Sequence, residues 1–118
     1  MRRSVALGRY GEDVAVAHLQ AQGMLILDRN WRCEVGEIDI VAREGNTLVI
    51  CEVKTRSSLE FGTPFQQLTP RKVRRLRHLC YRWLVHRQAH APSVRIDVIA
   101  VVQGRQGAPV VEHVRGVE

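Results

Sequence analysis

The sequence predicts an α/β fold: a mixed β-sheet flanked by helices, with elements in the order α-β-β-β-α-β-β. Three observations predict it. Two segments carry apolar residues at three- and four-residue spacing, the period of an amphipathic helix. Two apolar runs flank Gly45-Asn46, which suits the loop of a two-residue hairpin. Residues 94–102 are almost continuously apolar, through Val94, Ile96, Val98, Ile99, Ala100, Val101 and Val102, as a central strand covered on both faces should be. At 118 residues the chain is expected to form one domain, 1–118, with a core of its own.

The first helix is expected over residues 7–22. Glu12, Ala15, Val16, Leu19 and Gly23 fall on one stripe, and Gly23 suits the left-handed position that ends a helix. Glu12 therefore sits on, or at the rim of, the inward face. The competing role for Glu12 is to stabilise the helix's first turn against its dipole, which Asp13 could do as well. Residues 24–32 read as a strand. Trp31 is read there as a core-edge aromatic rather than a base-stacking platform, because no other aromatic interleaves with it. The hairpin strands follow at 35–43 and 47–55, and residues 56–69 form a loop rich in turn formers.

Thr69 is a good N-cap and Pro70 a good first residue for a second helix, expected to run to about residue 88. Val73, Leu76, Leu79, Cys80, Trp83 and Leu84 form its inward stripe. Arg71, Lys72, Arg74, Arg75, Arg77, Arg82 and Arg87 occupy much of the rest. Few acids interleave with them to make i,i+4 pairs, so contact with phosphates is preferred to plain solvation. His90-Ala91-Pro92 breaks the helix. Asp97 interrupts the apolar strand and is read as a polar residue near a strand end, paired with an arginine. A turn at 104–107 leads to a short edge strand at 110–114.

The charge balance points to polyanions or to a basic solvated surface: Lys+Arg is 18 against Asp+Glu 12, a net +6. Arginine dominates, since Lys54 and Lys72 are the only lysines, and guanidinium is suited to bidentate phosphate recognition. Cys33, Cys51 and Cys80 have no metal-ligand spacing. Cys51 and Cys80 sit in apolar runs as small core residues, which fits a reducing cytoplasm. No apolar stretch approaches the length of a membrane span, and the Met-Arg-Arg start has no apolar core segment or cleavage site behind it.

The hairpin carries the chemistry. Closing it at Gly45-Asn46 sets Asp39 opposite Glu52 and Glu37 opposite Lys54, all on one face. Like charges directly opposed are destabilising, and a divalent cation would offset them. Phosphodiester cleavage needs an activated water, neutralised charge on phosphorus and a stabilised leaving oxygen. Hard oxygen ligands suit Mg²⁺ or Mn²⁺. Asp39 and Glu52 supply two carboxylates, the Val53 carbonyl a third ligand, and Glu12 another, directly or through water. Lys54 can position the attacking water or stabilise transition-state charge. The alternative is a structural ion-pair cluster on the sheet face, with Glu37–Lys54 and Asp39–arginine pairs of modest value. The strongly apolar strands around these charges favour the metal site.

The run Gly36-Glu37-Ile38-Asp39-Ile40-Val41-Ala42 followed by Glu52-Val53-Lys54-Thr55-Arg56 resembles the PD-(D/E)xK nuclease superfamily, which includes restriction endonucleases and archaeal Holliday-junction resolvases. More narrowly, the chain resembles the YraN-type family of small bacterial proteins. That match extends to Gly11-Glu12, Asn30-Trp31-Arg32, Phe61-Gly62, the Lys72 helix and Arg95-Ile96-Asp97-Val98. The resemblance implies a restriction endonuclease-like core, with Glu12, Asp39 and Glu52 as metal-facing acids and Lys54 as catalytic lysine. Gln66 or Gln67 corresponds to the glutamine that follows the lysine in some members. Ile38 replaces the proline that precedes the first acid in the superfamily pattern.

Three functions follow as expectations. The first is a Mg²⁺- or Mn²⁺-dependent endonuclease acting on DNA, branched or damaged structures included, with Arg56, Arg71, Lys72, Arg74 and Arg75 contacting the nucleic acid. The second is a nucleic-acid-binding module of nuclease fold without turnover. The third is a subunit of a larger nucleic-acid-processing complex. A homodimer is a further expectation, because junction resolvases need two active sites to cut two strands, and no membrane partner is expected.

Overall fold

A computed structural model describes residues 3–57 and 68–117 of the chain. Its elements are α1 (Arg3–Ala21), β1 (Leu25–Cys33), β2 (Gly36–Glu44), β3 (Thr47–Ser57), α2 (Pro70–Arg87), β4 (Ser93–Gln103) and β5 (Val110–Val114). One five-stranded sheet has the order β1-β2-β3-β4-β5. Only β3 and β4 run parallel; the other neighbours are antiparallel. A parallel pair needs a crossover, and α2 provides it.

Strand alternation divides the core into two layers. Val49 and Cys51 of β3, with Ile40, Ala42, Ile99 and Val101, pack under Ala15 and Leu19 of α1. Leu48 and Ile50, with Val41 and Ile96, pack under Leu76, Leu79, Cys80 and Trp83 of α2. The sheet thus lies between the two helices. Burial raises the Cys80 thiol to about 11 and the Cys51 thiol further, so neither is a ready nucleophile.

The hairpin register is the one its loop dictates. Glu44 pairs with Thr47, then Arg43 with Leu48, outward to Ile40 with Cys51. Gly45 takes φ +60, the left-handed conformation such a turn requires. At α2, the Thr69 hydroxyl accepts from the Lys72 N–H at 3.2 Å, and Gln88 closes the helix in the left-handed region with φ 51.

Four expectations are corrected. The first helix starts at Arg3 rather than residue 7, since nothing in residues 3–6 disfavours helix. Glu12 and Asp13 are therefore well inside it, and neither is in its first turn. The C-terminal arginines of α2 do find acids, supplied by β1 and the turn that follows it rather than by the helix itself. Arg82 pairs with Glu34, and Arg87 with Asp28 at 2.7 Å. Asp28 also accepts from Trp83 Nε1 at 3.1 Å, and these bonds hold its carboxyl below the usual range against the opposing effect of burial. Asp97 is in the middle of β4 and fully buried, not near a strand end. Arg95 donates to it from Nε at 2.8 Å and Nη2 at 3.0 Å, and the Gly116 N–H at 3.0 Å. His113 Nε2 lies 2.8 Å from it.

Trp31 is half-buried at the edge of the α2 layer, against His86. The expected turn residues from 58 to 67, with Phe61-Gly62, Gln66 and Gln67, lie outside the described residues. No helix among the described residues is long and apolar enough to cross a membrane.

Candidate metal and nucleic-acid site

The regular hairpin ladder ends at Ile40–Cys51. One step beyond, the Val53 N–H donates to Asp39 Oδ2 at 2.8 Å. The strand also changes its alternation here. Ile38 packs in the α2 layer, whereas strict alternation would put it with Ile40 and Ala42 under α1. On the other side of β2, Arg29 pairs with Ile40 and Trp31 with Ile38, so Asn30, with φ 53, stands beside Asp39. A left-handed non-glycine residue and a broken alternation therefore coincide beside Asp39.

Around Asp39 the acids converge. Glu52 acts on it through both its charge and a side-chain hydrogen bond, and Glu12 adds its charge from α1. One carboxylate oxygen each from Glu12, Glu37 and Asp39 lies within 4.8 Å of the others. Burial first, then the neighbouring Glu52 charge, pushes the Asp39 carboxyl up to about 8, against the lowering effect of the Val53 N–H. Without a counter-cation the Asp39 carboxyl is therefore biased toward its protonated form. The cluster's all-oxygen donor set fits a hard divalent cation, which would replace that proton.

Gly11 explains how Glu12 arrives. A Cβ at this buried glycine would stand 1.9 Å from Thr55 Oγ1, so α1 reaches β3 only because the side chain is missing. The next residue, Glu12, is thereby set beside the hairpin's end, with Arg29 Nη2 at 3.9 Å. Val53 meets the site through its N–H. Lys54 is half-buried on β3, across from Ala100 of β4, and makes no hydrogen bond or ion pair among the described residues.

A cleft of about 210 Å³ opens over the acids, lined by Glu37, Asp39 and Glu52 from the hairpin and by Lys72, Arg75, Leu76 and Leu79 from α2. Arg71 and Arg74 are exposed on the same half of α2, outside the cleft lining. Arg56 is half-buried on β3 and has an interaction of its own. The structure thus brings Asp39, Glu52 and Glu12 together and puts Lys72 and Arg75 next to them. It does not bring Arg56, Arg71 or Arg74 into the cleft lining.

Glu37 is the residue that sequence reasoning undervalued. It was expected to serve as an ion-pair partner of Lys54 or an arginine. It does pair with Arg32, at 2.9 Å, but it also belongs to the acid cluster and lines the cleft. The signal was present in the hairpin register, which set Glu37 and Asp39 on the same face.

These features define the class. The protein is α/β, with a five-stranded mixed sheet and two helices in the order α-β-β-β-α-β-β, compatible with a restriction endonuclease-like core. Residues 11–101 match the model of the uncharacterised protein family UPF0102, the YraN family, and the chain belongs to that family. A UPF0102 protein of Beutenbergia cavernae is 56% identical over 117 residues, covering 99% of each chain. One from a Nocardioides species is 55% identical over 112 residues, covering 95% of this chain and 90% of its own. One from Streptomyces coelicolor is 54% identical over 114 residues, covering 95% and 88%.

Proposed function

We propose that this protein is a metal-dependent nuclease that hydrolyses phosphodiester bonds in DNA, branched or damaged structures included, with Mg²⁺ or Mn²⁺ held at the acid cluster. One observation carries the reading: Asp39, whose proton affinity is raised by burial and the Glu52 charge, shares a cleft with Glu52, Lys72 and Arg75. In this reading Asp39, Glu52 and Glu12 hold the cation, with the Val53 carbonyl as a further ligand. When bound, it supplies Lewis acidity at the phosphate and lowers the pKa of water.

The chain's own residues do the rest. The Val53 N–H fixes one oxygen of Asp39. Lys54, held on a strand of the sheet and without an acid partner among the described residues, positions the attacking water or stabilises charge on the phosphate. Arg71 and Arg74 contact flanking phosphates as exposed charges. A homodimer supplies the second site where two strands are cut.

The test is incubation of the purified protein with Mg²⁺ or Mn²⁺ and a panel of single-stranded, duplex, flapped and four-way DNA. Cleavage of at least one substrate is expected, and its loss in Asp39→Ala and Glu52→Gln. Identical behaviour of wild type and Asp39→Ala on every substrate overturns the reading. Salt-sensitive binding that survives Glu52→Gln with no turnover supports the non-catalytic binding module in its place.

A further inference from the structure

Away from the acid cluster, two histidines face each other between α1 and β5. His18 Nε2 lies 3.1 Å from His113 Nδ1, and the rings meet edge to face with centroids 5.2 Å apart. His18 is half-buried in the last turn of α1, and the His113 side chain is only 6% exposed.

The neighbours decide what each ring nitrogen carries. Asp97 accepts from Arg95 on both oxygens and from the Gly116 N–H on Oδ1, and its Oδ2 lies 2.8 Å from His113 Nε2. A carboxylate only accepts, so His113 Nε2 carries the hydrogen and, in the neutral ring, Nδ1 is a lone pair. At the other end of this chain of bonds, Arg115 donates to Gln22 Oε1. A guanidinium has donors only, so the Gln22 amide must turn its NH₂ to His18 Nε2, 2.8 Å away. That nitrogen is then an acceptor as well. With both rings neutral, two lone pairs meet across one 3.1 Å gap, an arrangement that calls for a cation.

The surrounding charges do not supply it. Arg95 and Arg115 are matched by Asp97 and Glu44, which Arg115 grips at 2.9 and 3.0 Å. Burial, then the charges of His113 and Arg115, lower the His18 pKa below its ordinary value, so a proton is held poorly there. The spacing suits a metal ion instead. Two Zn–N bonds of about 2.0–2.1 Å at a tetrahedral angle hold their nitrogens about 3.3 Å apart. The bond from His113 to the fully buried Asp97 is the carboxylate–histidine pairing that orients metal-bound imidazoles and raises their basicity. The exposed Gln22 side gives an ion its path in and room for water ligands.

We infer that His18 Nε2 and His113 Nδ1 form a metal site of their own, for a divalent transition ion of the Zn²⁺ type, with Asp97 as the positioning residue behind His113. The site shares no donor with Glu12, Glu37, Asp39 and Glu52, and imidazole nitrogen selects a softer ion than Mg²⁺. The ion displaces the Gln22 NH₂ from His18 and ties the end of α1 to β5.

The test is a Zn²⁺ titration of the whole protein in excess Mg²⁺, followed by ¹H–¹⁵N spectra of the histidine rings. At stoichiometric Zn²⁺ the His18 Nε2 and His113 Nδ1 signals are expected to shift together to metal-bound positions, ahead of those of the exposed His78, His86 and His90. In His18→Gln the Zn²⁺ affinity should fall by at least about tenfold, with melting in chelator showing that the fold is kept. The same ring response should survive in Glu52→Gln, which alters the acid cluster alone. Rings of His18 and His113 that ignore Zn²⁺, or a Zn²⁺ response confined to the exposed histidines, overturns the inference. A proton shared between the two rings that Zn²⁺ does not displace overturns it too. If His18→Gln fails to fold, the wild-type ring spectra decide by themselves.

Discussion

Replacing Asp39 with Asn tests the acid cluster without any assay of activity. Asn keeps an oxygen to accept from the Val53 N–H, which now bonds Asp39 Oδ2 at 2.8 Å. It removes the titrating charge. The Asp39 carboxyl moves from 3.8 in the open chain to about 8 in the fold, chiefly through burial and the Glu52 charge. The sign follows directly: a folded value above the unfolded one gives stability that is whole below pH ~4 and lost as pH rises to ~8. Four pH units correspond to a ceiling of about 6 kcal/mol. Water entering the cleft screens the ionised form of Asp39, so a recovery of about 2–4 kcal/mol in Asp39→Asn is expected above pH 8. At about 2 cal/mol/K per residue for unfolding entropy, each kcal/mol is about 4 °C in Tm for a chain of this length.

Asp39→Asn should therefore match wild type at or below pH ~4 and melt roughly 8–16 °C higher at pH 8.5 in chelator. Millimolar Mg²⁺ or Mn²⁺ should close the gap from the wild-type side, since a ligand at 100 times its Kd stabilises by about 2.7 kcal/mol. Calorimetry across pH, with and without cation, gives both comparisons. Parallel wild-type and variant profiles from pH 4 to 9 would refute the reasoning, because Asp39 would then not be holding a proton that the fold must supply.

Asp97→Ala leaves Arg95 and His113 without their buried partner and should cost about 3–5 kcal/mol in urea unfolding at pH 7. The Asp97 carboxyl is held low by Arg95, His113 and Gly116 despite burial, so its contribution is present above the ordinary carboxylate range and is lost as acid protonates it; the cost of the substitution should therefore shrink below pH 4. Gly11→Ala drives a methyl against Thr55 and should cost about 1–3 kcal/mol by the same measurement, with Thr55→Gly in the same chain restoring most of it. If Gly11→Ala is neutral, the close approach of α1 to β3 does not depend on the missing side chain.

What the sequence made legible was mostly local or periodic. The Gly45-Asn46 loop set the hairpin register, and one register fixes which side every later residue faces. Thr69-Pro70 marked the α2 start, and the apolar stripe identified the face carrying Leu76, Leu79, Cys80 and Trp83. Glu12 as a third acid came from helix periodicity. What stayed hidden depended on distant neighbours. The change of alternation at Ile38 and the left-handed Asn30 arise where three strands adjust to one another, and no period in residues 30–40 announces them. The destination of the α2 arginines was equally invisible, because Glu34 and Asp28 are far from Arg82 and Arg87 along the chain.

That division of the arginines bears on function through topology. The sheet has one parallel pair, β3 and β4, and α2 is its crossover. A crossover helix begins near the end of the strand it leaves, and β3 ends just after Glu52 and Lys54. The first half of α2 lines the same cleft as the acids. It is this half that keeps Arg71, Lys72, Arg74 and Arg75 clear of ion pairs among the described residues, while the second half spends Arg82 and Arg87 on tying the helix to the segment around β1. In open α/β sheets, ligands bind beyond the carboxyl ends of parallel strands. The same rule here selects the second half of β3, where Glu52 shares a cleft with Asp39, Lys72 and Arg75.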